Sequence, residues 1–204
     1  VQPTCKAVVF DIGNVFVSWD PRFLYEKLIT DTDELEYFLS EVVTLEWHSE
    51  HDRGRPFAEG VALLSGKFPE YADLIQAFDD RWEETIGGLI PGAVDILEKL
   101  AEIGIPVYAL TNFSAEKWPI FCKRYSFTDH FDGVIVSGEL GLIKPDPRIF
   151  HTVLTRFNLS PEETYFIDDR LDNIHAAVSL GMVGHQFKDA PTLLDSMKTH
   201  GFPL

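Results

Sequence analysis

Apolar residues in this chain fall into two patterns. In the first they run together without alternation: AVVF at 7–10, IPVYAL at 105–110, GVIVS at 133–137, TYFID at 164–168 and MVGHQF at 182–187. Short unbroken runs rich in β-branched and aromatic side chains predict strands covered on both faces, as parallel strands are. In the second pattern apolar positions recur at helical spacing. PGAVDILEKLAEIG (91–104) aligns Ala93, Ile96, Leu97, Leu100 and Ile103 on one stripe and closes with Gly104, a natural helix stop. LDNIHAAVSLG (171–181) also ends in glycine. Strand alternating with helix predicts an open α/β sheet.

The region from 20 to 88 breaks this rhythm. DELEYFLSEV and YADLIQAFDDRWEET mix acids, leucines and aromatics in helix-compatible order, and no strand is expected there. Gly87, Gly88, Pro91 and Gly92 mark its exit. The expected organisation is an α/β core from 1–18 and 89–204 with a helical insertion at 19–88. Within it, Trp47, Phe57, Phe78 and Trp82 read as the insertion's own core, while Trp19 at its start fits either packing or a site.

Charge narrows the function. Thirty-three acids against seventeen bases give a formal charge of −16, which opposes long-range attraction to nucleic acid or anionic lipid. An anionic ligand needs a local basic or metal-lined pocket. Cys5 and Cys122 show no paired spacing and read as free thiols. No apolar segment reaches the length of a membrane span, and VQPTCKAVVF lacks the pattern of a signal peptide, so a cytoplasmic location is expected. Nothing in the sequence sets an oligomeric state.

Candidate chemistry gathers at the ends of the expected strands. Asp11 follows AVVF, Thr111 and Asn112 follow IPVYAL, Lys144 lies in GLIKPDPRIF after GVIVS, and Asp168 and Asp169 end TYFI. Ligands of open α/β sheets bind beyond the carboxyl ends of the strands, so these residues are expected to converge on one crevice. Three clustered carboxylates repel unless a cation joins them, and hard oxygen donors without histidine or cysteine point to Mg²⁺. Lys144, Thr111 and Asn112 complete a set able to hold a phosphoryl group. Asp11 is then placed to act as a carboxylate nucleophile. Singly, each motif has a plainer use: DIGN as a turn, DD as a helix cap. Four in order, each after a buried strand, favour a site.

The order FDIGNV, LTN, GLIKPDPRIF and FIDD-x₃-N resembles the haloacid dehalogenase-like (HAD) hydrolase superfamily. More closely it is similar to the sugar-phosphate phosphatase branch whose first motif reads FD-x-GN-V. The resemblance spans residues 8 to 181 and implies a Rossmann-like core with a helical cap inserted after the first motif. It implies that Asp11 is the nucleophile and that Thr111 and Lys144 hold the phosphate. Asp169 would bind Mg²⁺ with Asp11 and the carbonyl of Gly13, Asp168 would ligate or orient the metal, and Asn173 would support that shell. The implied activity is hydrolysis of a small phosphate ester through an aspartyl-phosphate.

One position departs from the family pattern. Most phosphatases of the superfamily carry a second aspartate two residues after the nucleophile to protonate the leaving oxygen, and here that position is Gly13. General acid–base help contributes about 10²–10⁴ in rate. Its loss favours esters with good leaving groups, such as sugar 1-phosphates, or a proton supplied by a cap residue or water. The segment WHSEHDRGRPF (47–57) reads as a solvated helix end or turn at Gly54, or as a substrate-contacting loop with Arg53 or Asp52 facing the crevice; its histidines fit no strong zinc spacing. Two other functions stand beside the phosphatase. A metal-free 2-haloacid dehalogenase would need no leaving-group acid, but Asp168, Asp169 and Phe150 count against it. A non-catalytic binding protein on this fold has no use for the charge cluster.

Overall fold

In a computed structural model, residues 5–204 are described, so the first four positions of the 1–18 segment lie outside it. Numbered along the chain, the strands are β1 (Ala7–Phe10), β2 (Val17–Trp19), β3 (Ile86–Leu89), β4 (Val107–Thr111), β5 (Gly133–Val136), β6 (Thr164–Asp168) and β7 (Val183–Gln186). The runs expected to be buried strands form one parallel sheet in the order β5-β4-β1-β6-β7. Val8 pairs with Val107 on one side and Tyr165 on the other, which makes β1 the middle strand. The chain turns to opposite sides of β1 on its way to β4 and to β6, so the crevice for a ligand opens at the end of β1.

Both faces of the sheet are covered, as continuous apolar strands require. Val8 and Phe10 point into one buried cluster and Val9 into another, following the two-residue period of a strand. Each such fully buried side chain contributes about 1.5–3 kcal/mol. Between β2 and β3 lie helices α1 (Arg22–Tyr25), α2 (Thr32–Tyr37), α3 (Leu45–Asp52), α4 (Phe57–Lys67) and α5 (Ala72–Asp80). After β3 follow α6 (Ala93–Glu102), α7 (Trp118–Arg124), α8 (Ser137–Leu140), α9 (Pro147–Arg156), α10 (Leu171–Ser179) and α11 (Ala190–Thr199). Residues of α6 and α11 join the Phe10 cluster; those of α9 and α10 join the Val9 cluster.

The helical insertion has its own aromatic centre. Phe78 on α5 meets Trp47 on α3 at 5.3 Å and Phe57 on α4 at 5.9 Å between ring centroids. Helix α3 begins at Thr44, whose hydroxyl accepts the Trp47 N–H at 3.1 Å and so caps the first turn.

The exit of the insertion differs from the sequence expectation. No strand was expected before residue 88, yet β3 pairs antiparallel with β2, joining Val17 to Leu89 and Trp19 to Ile86. Two glycines in IGGL hide a strand from pattern reading, since glycine offers nothing to pack. The structure shows why one is there: a Cβ on Gly87 would lie 2.5 Å from the Ser18 hydroxyl and 2.7 Å from the Phe23 ring. The chain therefore leaves and re-enters the core along one paired ribbon.

Candidate active site

The turn after β1 is built by its own polar atoms. Asp11 continues the ladder, donating its N–H to the Ile167 carbonyl at 2.8 Å. Asn14 takes the left-handed conformation (φ 55°), which asparagine tolerates better than most residues. Its N–H reaches the Val17 carbonyl at 2.7 Å and its side chain accepts the Trp19 N–H at 2.9 Å. The loop folds back at once, and the Asp11 carboxylate is left at the strand's end with Oδ1 accepting the Ile12 N–H at 2.7 Å.

Lys144 is buried at the centre of the site. Its ammonium lies 2.8 Å from Asp11 Oδ1 and 2.6 Å from Asp168 Oδ2, and donates to the Leu110 carbonyl at 2.9 Å. Asn112 fixes the Lys144 backbone from both sides: Nδ2 donates to its carbonyl at 3.0 Å and Oδ1 accepts its N–H at 2.8 Å. Asp168 is fully enclosed. Asn173 Nδ2 donates to both its oxygens at 3.0 Å, and the Arg170 N–H adds a third donor at 2.9 Å. Asp11, Asp168 and Asp169 each bring a carboxylate oxygen within 4.8 Å of the others.

Three carboxylates share one ammonium, and the energetics record the imbalance. Burial pushes Asp11 up to about 7, Lys144 pulls it down, and Asp168 and Asp169 raise it again. Burial and the neighbouring Asp168 also raise Asp169. Lys144 loses some basicity to burial, but the two aspartates outweigh this and lift it above the usual lysine value. An added divalent cation removes the repulsion, and an all-oxygen donor set suits Mg²⁺.

Asp11, Gly13, Asn112, Lys144 and Asp169 line a cavity of about 410 Å³ roofed by the insertion. Thr111 and Asp168 are buried, at 1% and 0% exposure, and do not line it. The roof brings Trp19 and Asp52, both named as candidates from the sequence, and Leu45 and His48, which were not, with Trp82, Ile86, Phe113 and Phe121 along the sides. Trp47, Phe57 and Phe78 are buried in the insertion as expected; Trp82 is buried and also touches the cavity. Trp19 stacks on His48 with centroids 4.6 Å apart. Burial lowers both His48 and His51 to about 4, so each is neutral near pH 7. Cys5 and Cys122 are free, and no helix among the described residues is long and apolar enough to cross a membrane.

Core and insertion are tied at defined points. The Ser137 hydroxyl, at the start of α8, donates to the Asp52 carbonyl at 2.6 Å and accepts the Phe113 N–H at 2.9 Å. Glu116 accepts the Phe57 N–H at 2.7 Å, capping α4 from the core side. Lys117 pairs with Asp79 on α5 and lies over the Phe57 ring.

This sheet order, with a buried lysine joining carboxylates from two neighbouring strand ends, defines a Rossmann-like α/β protein with a charged site at the strands' carboxyl ends. The haloacid dehalogenase-like hydrolase family matches residues 5–181, and the chain belongs to that family of enzymes. It is 30% identical over 190 residues to the sesquiterpene phosphatase astK of Aspergillus oryzae, covering 92% of both chains. It is 34% identical over 100 residues to a glyceraldehyde 3-phosphate phosphatase of Pyrococcus abyssi, covering 48% of this chain and 42% of that one. A HAD-family enzyme of Bacteroides thetaiotaomicron, solved with magnesium and inorganic phosphate, superposes with a TM-score of 0.69. It is 26% identical, over 91% of this chain and 95% of that one.

Proposed function

We propose that this hydrolase is a Mg²⁺-dependent phosphatase that cleaves a small organic phosphate monoester through an aspartyl-phosphate on Asp11. The observation that carries this reading is the deficit of positive charge: Asp11, Asp168 and Asp169 gather at one buried ammonium, Lys144, and the flanking Arg170 is already paired with Asp172. Asp11, Asp169 and the Gly13 carbonyl are the residues to hold the ion. Asp168, already accepting from Lys144, Asn173 and Arg170, orients the set. Bound there, Mg²⁺ would supply charge neutralisation for the phosphoryl oxygens.

The remaining work belongs to the chain. Lys144 favours the ionised form of Asp11 against burial and holds the carboxylate in position at the cavity. Asn112 acts through Lys144, whose backbone it grips, and Thr111 is assigned the hydroxyl at the phosphoryl end. The insertion keeps bulk water from the acyl-phosphate until one water is admitted in line.

The carbon part of the ester meets Trp19, Leu45, Trp82, Ile86, Phe113 and Phe121. Walls of this kind suit an apolar group better than a bare sugar, whose hydroxyls would lose water without full replacement. We therefore assign an apolar alcohol phosphate as the favoured substrate class, in keeping with the name of the Aspergillus relative. An isoprenoid monophosphate compared with a sugar 1-phosphate tests this through kcat/KM, and a preference for the sugar overturns it.

The reaction class is tested separately. Hydrolysis of p-nitrophenyl phosphate is expected to require Mg²⁺, to stop on chelation, and to fall more than about 10³-fold in Asp11→Asn. Activity that survives both treatments refutes the assignment. Chelator-insensitive halide release from a 2-haloacid would identify a dehalogenase instead.

A further inference from the structure

We infer that Asp52, on the insertion, protonates the leaving oxygen and later deprotonates the attacking water, the role left vacant at Gly13. The inference rests on the phosphatase reading above. Three observations support it independently of any motif.

The first is placement. Asp52 ends α3 and lines the same cavity as Asp11, Gly13 and Lys144, across from the sheet. The core holds it there: Ser137 donates to its carbonyl, and two residues on, a Cβ at Gly54 would meet the Gly138 carbonyl at 2.8 Å. Backbones this close fix where the Asp52 backbone sits at the edge of the cavity.

The second is an uncommitted carboxyl group. Asp52 is 7% exposed, yet no hydrogen bond from the described residues reaches its side-chain oxygens. His48 Nε2 lies 3.5 Å from Oδ2. The oxygens are not sealed in: the side chain keeps 10% of its exposure and the residue lines the cavity, so a ligand there can reach a carboxyl group that no protein donor occupies.

The third is its charge environment. Within α3 it faces His48 and adjoins Arg53; Lys144 acts on it from the core, and α8 presents only the neutral Ser137 hydroxyl. Burial pushes Asp52 up to about 7, with Arg53 and then Lys144 opposing. His48 is neutral and supplies no counter-charge. A carboxyl that titrates near the working pH is suited to give and take a proton in one turnover.

The chemistry balances. Asp11 Oδ bonds to phosphorus as the ester P–O bond breaks, and the departing oxygen takes the Asp52 proton to leave as the alcohol. Water then attacks phosphorus, its proton returns to Asp52, and the bond to Asp11 breaks, releasing phosphate.

Two esters separate this role from a structural one. Hexyl phosphate has a leaving group that needs the proton; p-nitrophenyl phosphate has one that does not. With Mg²⁺ present, Asp52→Asn should lower kcat/KM for hexyl phosphate about 10²–10⁴-fold and change it less than about tenfold for p-nitrophenyl phosphate. A Cβ at Gly13 meets nothing within 4 Å, so an aspartate fits there. Gly13→Asp in the Asp52→Asn background should therefore restore hexyl phosphate turnover at least about tenfold. Equal losses on both esters, or none on hexyl phosphate, overturn the assignment while leaving the phosphatase reading intact. A wild-type enzyme inert to both esters overturns the phosphatase reading, and this assignment with it.

Discussion

Lys144 illustrates how one side chain sets the character of its surroundings. Its side chain is 1% exposed, yet it stays charged because Asp11 and Asp168 stand within 2.8 Å and 2.6 Å. Removing one partner of a buried pair leaves the other charge stranded, at a cost of about 3–5 kcal/mol. Lys144→Met should therefore lose this much stability in urea unfolding at neutral pH, and lose activity as well; a variant of unchanged stability would contradict the buried network. Asp11, Lys144 and Asp169 were legible in the sequence because each follows a strand that the apolar runs disclose. The grip of Asn112 on Lys144 was not, because a contact across 32 positions leaves no local pattern. The sequence narrowed the insertion's crevice-facing residue to Asp52 or Arg53 and could not choose between them; in the structure Asp52 lines the cavity and Arg53 does not.

Among elements, the meeting of α3 and α4 has a titratable weakness. His51 is fully buried among Trp47 and Phe57, and neither ring nitrogen finds a partner. Burial lowers it to about 4, from 6.5 in a free side chain, with His48 adding to the effect. The unfolded chain thus takes a proton that the folded one refuses, so stability falls as pH drops from about 6.5 towards 4. The loss is on the order of 3 kcal/mol for such a shift. His51→Leu should remove part of this acid limb in thermal melts across that range, His48, lowered alike, keeping its own share; an unaltered limb would place its origin elsewhere. Helix α4 leaves room for His51 only because residue 60 is glycine: a Cβ there would lie 2.1 Å from His51 Nε2. Gly60→Ala should cost about 1–3 kcal/mol, and His51→Ala should relieve it in the double variant. The main sheet was legible at this scale through its continuous apolar runs. Strand β3 was not, since Gly87 and Gly88 serve close approach to β2 and conceal the pattern that marks a strand.

At the scale of the whole molecule, a charge of −16 works against an anionic ester approaching from solution. Added monovalent salt screens that repulsion over about 10 Å at 0.1 M. The expected result is a kcat/KM that rises with ionic strength at fixed free Mg²⁺, while kcat, set inside the closed site, stays level. A falling kcat/KM would mean that local positive charge governs capture instead.

The polar ties between core and roof are unevenly distributed. Glu116, Lys117 and Ser137 all belong to the β4 and β5 side of the sheet. Among the described residues, no hydrogen bond or ion pair joins positions 20–85 to positions 164–204. The roof is thus latched along one edge and unlatched along the other, where Arg170 stands at the rim beside Asp169. Along that edge Arg170 already pairs with Asp172 at 2.7 Å, so its guanidinium meets an arriving phosphate partly neutralised.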